Sequence, residues 1–227
     1  MRSAVVLALG IMALVLAGCP DRAGSGQAGS DPSGSVSADA PPQPWPPVKG
    51  QTYPDLELEE AGGGTLRLSS LRGKVVLVEP IGVACPACNA YAGAEEKGAF
   101  RGSGVQQGLG SLEKHLQDIA QVRLDAEPDL VLVQLLLFDG SSSVGRAPTS
   151  EDARAWADHF GFAGRANVKV LRGTTALADQ AGYAMVPGFQ LIDRQGVLRY
   201  DGSGHHPQDD PYDTVLASVP ALLAEAP

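Results

Sequence analysis

Two cysteines, Cys85 and Cys88, form a Cys-Pro-Ala-Cys motif with Pro86 and Ala87 between them. The apolar run 75–78 before the motif predicts a buried strand, and the alanine-rich segment after it predicts a helix. A thiol at a helix start lies near unpaired backbone N–H groups and the positive end of the helix dipole, so we expect a lowered pKa for Cys85. A thiolate can attack a disulfide, and a second thiol can resolve the mixed disulfide. The motif therefore predicts a dithiol redox site.

Other uses of a Cys-x-x-Cys pair fit less well. A zinc site needs two more ligands, and the sequence has neither a second cysteine pair nor a His-x-x-x-His motif. A c-type haem needs histidine after the second cysteine, where Asn89 stands. A purely structural Cys85–Cys88 disulfide would close a very short loop and add little stability. Metal handling and an inert disulfide stay as alternatives to the redox site.

The first 18 residues have the features of a targeting segment. Arg2 precedes an apolar stretch, 4–17, that is short for a membrane span. The segment ends in Leu16-Ala17-Gly18-Cys19, which resembles the lipobox of bacterial lipoproteins. That resemblance implies cleavage before Cys19, lipid on that cysteine, and a protein anchored in the bacterial cell envelope, facing the periplasm or the extracellular side. An ordinary secretory signal or an uncleaved anchor is the alternative.

The cysteine count agrees with this reading. The chain has three cysteines, so a lipid on Cys19 leaves one pair, Cys85 and Cys88. An oxidising compartment outside the cytoplasm suits disulfide chemistry. The 17 Lys and Arg are outnumbered by 26 Asp and Glu, and no basic stripe is visible, which argues against a nucleic-acid partner.

The chain divides into three parts. After the expected signal peptide at 1–18, residues 19–49 are rich in Gly, Ser, Ala and Pro, which predicts a disordered linker. Residues 50–227 have the apolar periodicity of a folded domain. Alternating strands and helices predict an α/β domain with a mixed sheet flanked by helices. The predicted strands are a hairpin within 50–74 and runs at 74–79, 130–138, 168–171 and 188–200. The predicted helices follow Cys88, span 111–124 and 174–181, and begin near 149 and 210. Gly182 is expected to end the helix at 174–181.

The order of these elements resembles the thioredoxin superfamily. The leading Tyr53-Pro-Asp-Leu, the run Leu68-Ser-Ser-Leu-Arg-Gly-Lys74 and a Val-Pro before the last hairpin are similar to the TlpA/ResA-like thiol–disulfide oxidoreductases. The resemblance implies a thioredoxin-like three-layer fold with an N-terminal β-hairpin extension. It also implies protein thiol or disulfide substrates, a redox donor or acceptor protein, and no cofactor or metal.

The resemblance assigns roles by position. Cys85 is the nucleophile and Cys88 the resolving thiol, with Pro86 and Ala87 beside the substrate. Pro187 falls where the family has a cis-proline, and the preceding Val186 would pair with the substrate main chain. Glu79 stands where thioredoxins carry a buried acid that can shuttle a proton. A solvent-facing edge charge is the alternative for Glu79.

Three departures from the family leave the substrate and the direction of the redox reaction open, and two alternative functions remain. The segment before Cys85 lacks the usual aromatic residues, Gly188 replaces a threonine, and the chain is lengthened around 97–110 and 139–150. A peroxiredoxin-like protein would place proline and threonine before a single reactive cysteine, and Pro80 is present. A Sco-like copper-binding or copper-delivery module would add imidazole or thioether ligands, available here from His205, His206 and Met185.

Overall fold

The computed structural model describes residues 45–140 and 144–226. The expected signal peptide, Cys19 and most of the expected linker lie outside these residues. The end of that linker is described, and it packs on the domain: Pro47 is buried, and Nζ of Lys49 lies 2.5 Å from Oδ1 of Asp209. Lys49 thus contacts the folded domain. None of the helices in the described ranges has the length and hydropathy of a membrane span.

The described residues form one seven-stranded sheet with the order β2-β1-β5-β4-β3-β6-β7. Strands β3, β4 and β5 are parallel, and the other neighbours are antiparallel. The predicted mixed sheet and the N-terminal hairpin, β1 with β2, are thus confirmed. The strands are β1 (Glu57–Glu60), β2 (Thr65–Arg67), β3 (Val75–Gly82), β4 (Leu130–Phe138), β5 (Val168–Arg172), β6 (Gly188–Ile192) and β7 (Leu198–Ser203).

Short helices connect the strands. They are α1 (Pro86–Tyr91), α2 (Ala94–Lys97), α3 (Leu112–His115), α4 (Ser150–His159), α5 (Gln180–Ala184) and α6 (Val219–Ala224). A wider helical turn, Leu116–Ala120, extends α3, and two turns, Pro211–Val215 and Leu216–Ser218, lead into α6. Local signals account for two helix starts: Thr149 forms a capping box with Asp152, and Asp210 accepts the first free N–H groups of its turn.

Strands β3 and β4 lie in the middle of the sheet and are buried along their whole length. A central parallel strand has both faces covered, which explains the nearly continuous apolar runs in the sequence. The two strands pair in parallel, and Glu79 stands opposite Gln134. Each strand thus carries a polar side chain into the core at the same level of the sheet.

Two helix predictions were wrong in their bounds. The helix expected at 174–181 is instead α5, which begins after its N-cap Asp179 and contains Gly182. Gly182 permits a close approach rather than ending a helix, because a Cβ there would lie 2.1 Å from the carbonyl oxygen of Leu177. The helix expected over 111–124 ends at Ala120, where Gln121 takes a left-handed conformation with φ of 57°.

Candidate active site

The Cys-Pro-Ala-Cys motif lies where strand β3 passes into helix α1. Cys85 is the N-cap residue of α1, and Pro86 occupies its first turn, where the missing N–H of proline is no loss. The backbone N–H of Cys85 donates to the carbonyl of Gly82 (2.9 Å) and closes the turn. The backbone N–H of Cys88 donates to Sγ of Cys85 at 3.3 Å. The local sequence therefore aims the first sulfur at the free amides of the helix.

The two sulfurs differ in environment. The two cysteines are not bonded to each other; Cys85 is partly exposed and Cys88 is fully buried. The pKa of Cys85 is lowered to about 7, chiefly because the Cys88 thiol donates to its sulfur and also because the N–H groups of Cys88 and Ala87 do so. Burial raises the pKa of Cys88 well above its ordinary value. The neighbouring thiol, which the sequence did not suggest, therefore lowers the pKa of Cys85 more than either backbone amide of the helix start does.

A cleft of about 360 Å³ opens beside Cys85. The Val186-Pro187 peptide bond is cis, and both residues line the cleft, although they follow Cys88 by about a hundred residues in the chain. The antiparallel pairing of β6 with β3 brings them there. The cleft is lined by the candidate residues Cys85, Pro86, Ala87, Val186 and Pro187, and further by Gly82, Ala84, Gln106, Phe138, Tyr183 and His205.

Gly188 follows the cis-proline for a steric reason. Its φ is +141°, and a Cβ at this position would lie 2.4 Å from the carbonyl oxygen of Gly202 on β7. No other residue fits so close an approach of two strands. The missing threonine of the family pattern is thus explained by the packing of β6 on β7.

Glu79 does not line the cleft but lies behind the cysteines, in the sheet. Its side chain is fully buried, and burial raises its pKa well above the ordinary value. The negative charge of Glu79 also raises the pKa of Cys88. Glu79 is therefore not an edge charge that faces solvent. A buried carboxyl group with a raised pKa can hold a proton at a pH at which an ordinary carboxyl group has lost it, and can pass that proton to a neighbouring group.

Asn89 supports the site, and the sequence argument used it only to exclude haem. Its side chain is fully buried; Nδ2 donates to the carbonyls of Val83 and Cys85, both at 3.0 Å, and Oδ1 accepts from the N–H of Phe100 at 3.1 Å. It thus joins the turn before α1 to the start of the 98–110 loop. The sequence feature that could have indicated this role is an amide side chain directly after the motif, on a predicted helix whose other inward residues are apolar.

The 98–110 loop lies against the motif. The N–H of Gln106 donates to the carbonyl of Pro86 at 3.0 Å, and the side of Gly104 faces the Pro86 ring. A loop this near the cysteines in the sequence could cover the site or form a surface insertion. The contacts show that it forms one wall of the cleft, next to Pro86.

Replacing Asn89 by alanine should destabilise the protein by about 2–4 kcal/mol. The change leaves the Val83 carbonyl and the Phe100 N–H buried without these partners, and an unsatisfied buried polar group costs about 1–3 kcal/mol. Chemical denaturation followed by circular dichroism measures the loss. Gln106→Ala is the matched control, because it alters an exposed side chain of the same loop and keeps the backbone contact. Equal stability of the Asn89 variant and the wild type would contradict the assigned role.

The residues of the alternative functions are dispersed. Pro80 is part of β3, opposite Leu135, and is not among the residues lining the cleft. Met185 is buried, and its sulfur accepts a hydrogen bond from Gln190 at 3.5 Å, whereas His205 lines the cleft. In residues 45–140 and 144–226, no three His, Cys, Asp or Glu side chains are grouped in a way that could hold a metal ion.

No protein-family model and no curated protein gives a significant match to this sequence. Solved structures do resemble it. The thioredoxin domain of a thiol-disulfide oxidoreductase from Bacteroides vulgatus is 15% identical, with a TM-score of 0.44 over 74% of this chain and 95% of that chain. A secreted Mycobacterium tuberculosis disulfide oxidoreductase homologous to E. coli DsbE is 14% identical, with a TM-score of 0.42 over 75% and 95%. BsSco, of the Sco family of cytochrome c oxidase assembly proteins, is 16% identical, with a TM-score of 0.45 over 79% and 96%.

The class of fold follows from the chain's own topology. Two parallel strands joined through a helix, then an antiparallel hairpin beside the first of them, place the cysteine motif opposite the cis-proline. This is a thioredoxin-like α/β fold, as the sequence resemblance implied. At identities this low the likeness to solved structures concerns the fold, and the chemistry depends on the side chains described above.

Proposed function

We propose that this protein is a thiol–disulfide oxidoreductase that uses the Cys85–Cys88 pair. One observation carries the proposal: a partly exposed thiol with a pKa of about 7 lies in a cleft, hydrogen-bonded to a fully buried second thiol. A thiol whose pKa is near the ambient pH combines a large thiolate fraction with good nucleophilicity.

The chemistry has two steps. The Cys85 thiolate attacks one sulfur of a protein disulfide, a Cys85–substrate disulfide forms, and the other substrate sulfur leaves as a thiolate. Cys88 then gives up its proton, with Glu79 as the acceptor, and attacks the sulfur of Cys85; the Cys85–Cys88 disulfide forms, and the second substrate thiolate leaves. The protein pair loses two electrons and the substrate disulfide gains them. In the reverse direction the same steps oxidise a substrate dithiol.

The cleft suits a segment of a protein substrate. Pro86, Ala87 and Pro187 give it an apolar surface beside the reactive sulfur. Val186 would pair with the substrate main chain through its carbonyl, because its N–H already donates to the carbonyl of Tyr183 at 3.2 Å. The partners are proteins with accessible disulfides or thiols, and a second redox protein that restores the pair.

The location forms part of the proposal. The lipobox-like Leu16-Ala17-Gly18-Cys19 supports a lipid on Cys19, which would anchor the protein in the bacterial cell envelope, on the periplasmic or extracellular side. An oxidising compartment also favours disulfide exchange over metal binding by the pair.

Reduction of insulin by dithiothreitol tests the activity. The full chain, purified in detergent, should accelerate insulin precipitation well above the rate with dithiothreitol alone. A rate equal to the background would refute the proposal. A parallel titration of the reduced protein with Cu(I) separates the copper alternative, which requires tight binding that is lost when either cysteine is replaced.

A further inference from the structure

A chain of three buried side chains runs from helix α4 to Glu79. Nε1 of Trp156 on α4 donates to Oε1 of Gln134 on β4 at 3.1 Å. Nε2 of Gln134 in turn donates a hydrogen bond to Oε2 of Glu79 on β3. All three side chains are fully buried. The predicted strand at 130–138 is apolar apart from Gln134, and the two-step disulfide exchange does not use this residue.

The indole fixes the orientation of the amide. An indole nitrogen is a donor only, so it must face the oxygen of the Gln134 amide. The amide nitrogen, which is also a donor only, then faces Glu79. Oε2 of Glu79 is therefore an acceptor in both states of the carboxyl group, and in the neutral acid the proton must lie on Oε1.

Oε1 is also the oxygen of Glu79 without a hydrogen-bond partner among the described residues. A buried polar atom left without a partner is uncommon and calls for an explanation. The titratable groups that interact with Glu79 lie at α1. The charge of Glu79 raises the pKa of Cys88 and of Tyr91, and the charge of Cys85 raises the pKa of Glu79. On the other side Glu79 contacts the uncharged Gln134, which in turn contacts the uncharged Trp156. Strand β6 places the uncharged Gln190 opposite Val78.

We propose that Gln134 and Trp156 are positioning residues: Trp156 holds the amide of Gln134 so that Gln134 occupies Oε2 of Glu79 and leaves Oε1 to exchange a proton with Cys88. This inference rests on the proposed function. In the resolving step the proton of Cys88 passes to Oε1, and the sulfur electron pair forms the bond to Cys85. The bond between Cys85 and the substrate breaks, and the substrate leaves as a thiolate. A dithiol protein later returns two electrons, and Glu79 returns the proton.

Two substitutions test the chain from different ends. Gln134→Leu removes the donor that stabilises the carboxylate form of Glu79. Trp156→Phe keeps an aromatic ring but removes the N–H, so the Gln134 amide is free to turn its oxygen towards Glu79 and stabilise the neutral acid. Both changes should raise the pKa of Glu79, by about one unit, given that a hydrogen bond to a charged group is worth about one to two units.

Phe160→Leu is the matched control. Its ring packs on the Trp156 ring with centroids 4.6 Å apart, and its side chain has no polar atom. The substitution loosens the same part of the core without breaking the hydrogen-bonded chain, so the pKa of Glu79 should stay at its wild-type value.

Infrared spectroscopy of the full chain follows the Glu79 carboxyl band against pH, with Glu79→Gln to assign it. The single-turnover rate of mixed-disulfide resolution provides the second readout. Gln134→Leu and Trp156→Phe should move the carboxyl titration, and the acid limb of the rate profile with it, about one pH unit upward. The inference is overturned if the pKa of Glu79 is unchanged in a folded Gln134→Leu or Trp156→Phe variant. It is also overturned if Phe160→Leu shifts that pKa by the same amount. If the Glu79 carboxyl titrates and shifts in the variants as expected, but the wild-type protein does not reduce disulfides, the proposed function is refuted instead.

Discussion

Replacing Cys85 by serine should reduce the catalysed rate of disulfide reduction to the background rate. A serine hydroxyl is not ionised near neutral pH, whereas the Cys85 thiol with its pKa of about 7 is half thiolate there. No other sulfur among the described residues can take over, because Cys88 is fully buried. The expected loss is about a thousandfold or more, as for other covalent nucleophiles. The rate of insulin reduction by dithiothreitol, with the variant in detergent, measures it.

Replacing Cys88 by serine should have a different outcome. Cys85 can still attack, but the mixed disulfide cannot be resolved, so a covalent complex with the substrate accumulates and is seen on a non-reducing gel. Cys19→Ser is the matched control: it removes the third cysteine of the chain and should leave the rate in detergent unchanged. Full turnover by Cys85→Ser, or a complex formed through Cys88, would contradict the assigned order of attack.

Replacing Cys88 by alanine should raise the pKa of Cys85 from about 7 towards 9.0, its ordinary value. The hydrogen bond from the Cys88 thiol is the largest cause of the lowered pKa, and alanine removes it, while the backbone N–H groups remain. At pH 7 the thiolate fraction should fall from about one half towards about one in a hundred. The rate of alkylation at pH 7 should fall about tenfold or more, and the loss should disappear above pH 9.

Cys88→Ser distinguishes two causes of the lowered pKa of Cys85: the hydrogen bond from the side chain at position 88, and the backbone N–H groups at the helix start. A hydroxyl at this position can still donate to the Cys85 sulfur, so the pKa should stay near the wild-type value. Alkylation rates, or the ultraviolet absorbance of the thiolate, measured from pH 5 to 10 provide the pKa of each variant. If Cys88→Ala kept a pKa of about 7, the backbone amides alone would control the reactivity of Cys85, and the second thiol would not be the main cause of its lowered pKa.

Much of the fold could be predicted from local patterns. The Thr149 capping box and the Asp210 cap depend on residues within three positions of one another, and the 130–138 strand depends on its continuous apolar run. The wrong bounds predicted for the helix at 174–181 also come from reading a local pattern. A glycine can end a helix or permit a close contact, and only the position of the Leu177 carbonyl shows that Gly182 does the latter.

The site was predictable only in part. Sequence reasoning proposed Cys85, Cys88 and Pro187. It left open whether Glu79 is a buried acid or an edge charge. It assigned no role in the site to Gln134, Trp156 or Asn89. The reason is distance along the chain. Glu79 and Gln134 are 55 residues apart, and their contact exists because β3 and β4 pair in one register.

The sequence by itself determined that Cys85 and Cys88 lie together at a helix start, because they belong to one helical turn and their spacing is a local property. The tertiary structure decided what surrounds that pair. Sheet order brings Val186 and Pro187 to the cleft, burial raises the pKa values of Cys88 and Glu79, and the 98–110 loop contacts Pro86. These effects depend on which distant strands become neighbours and on how much water they exclude, and a pattern of neighbouring residues does not contain that information.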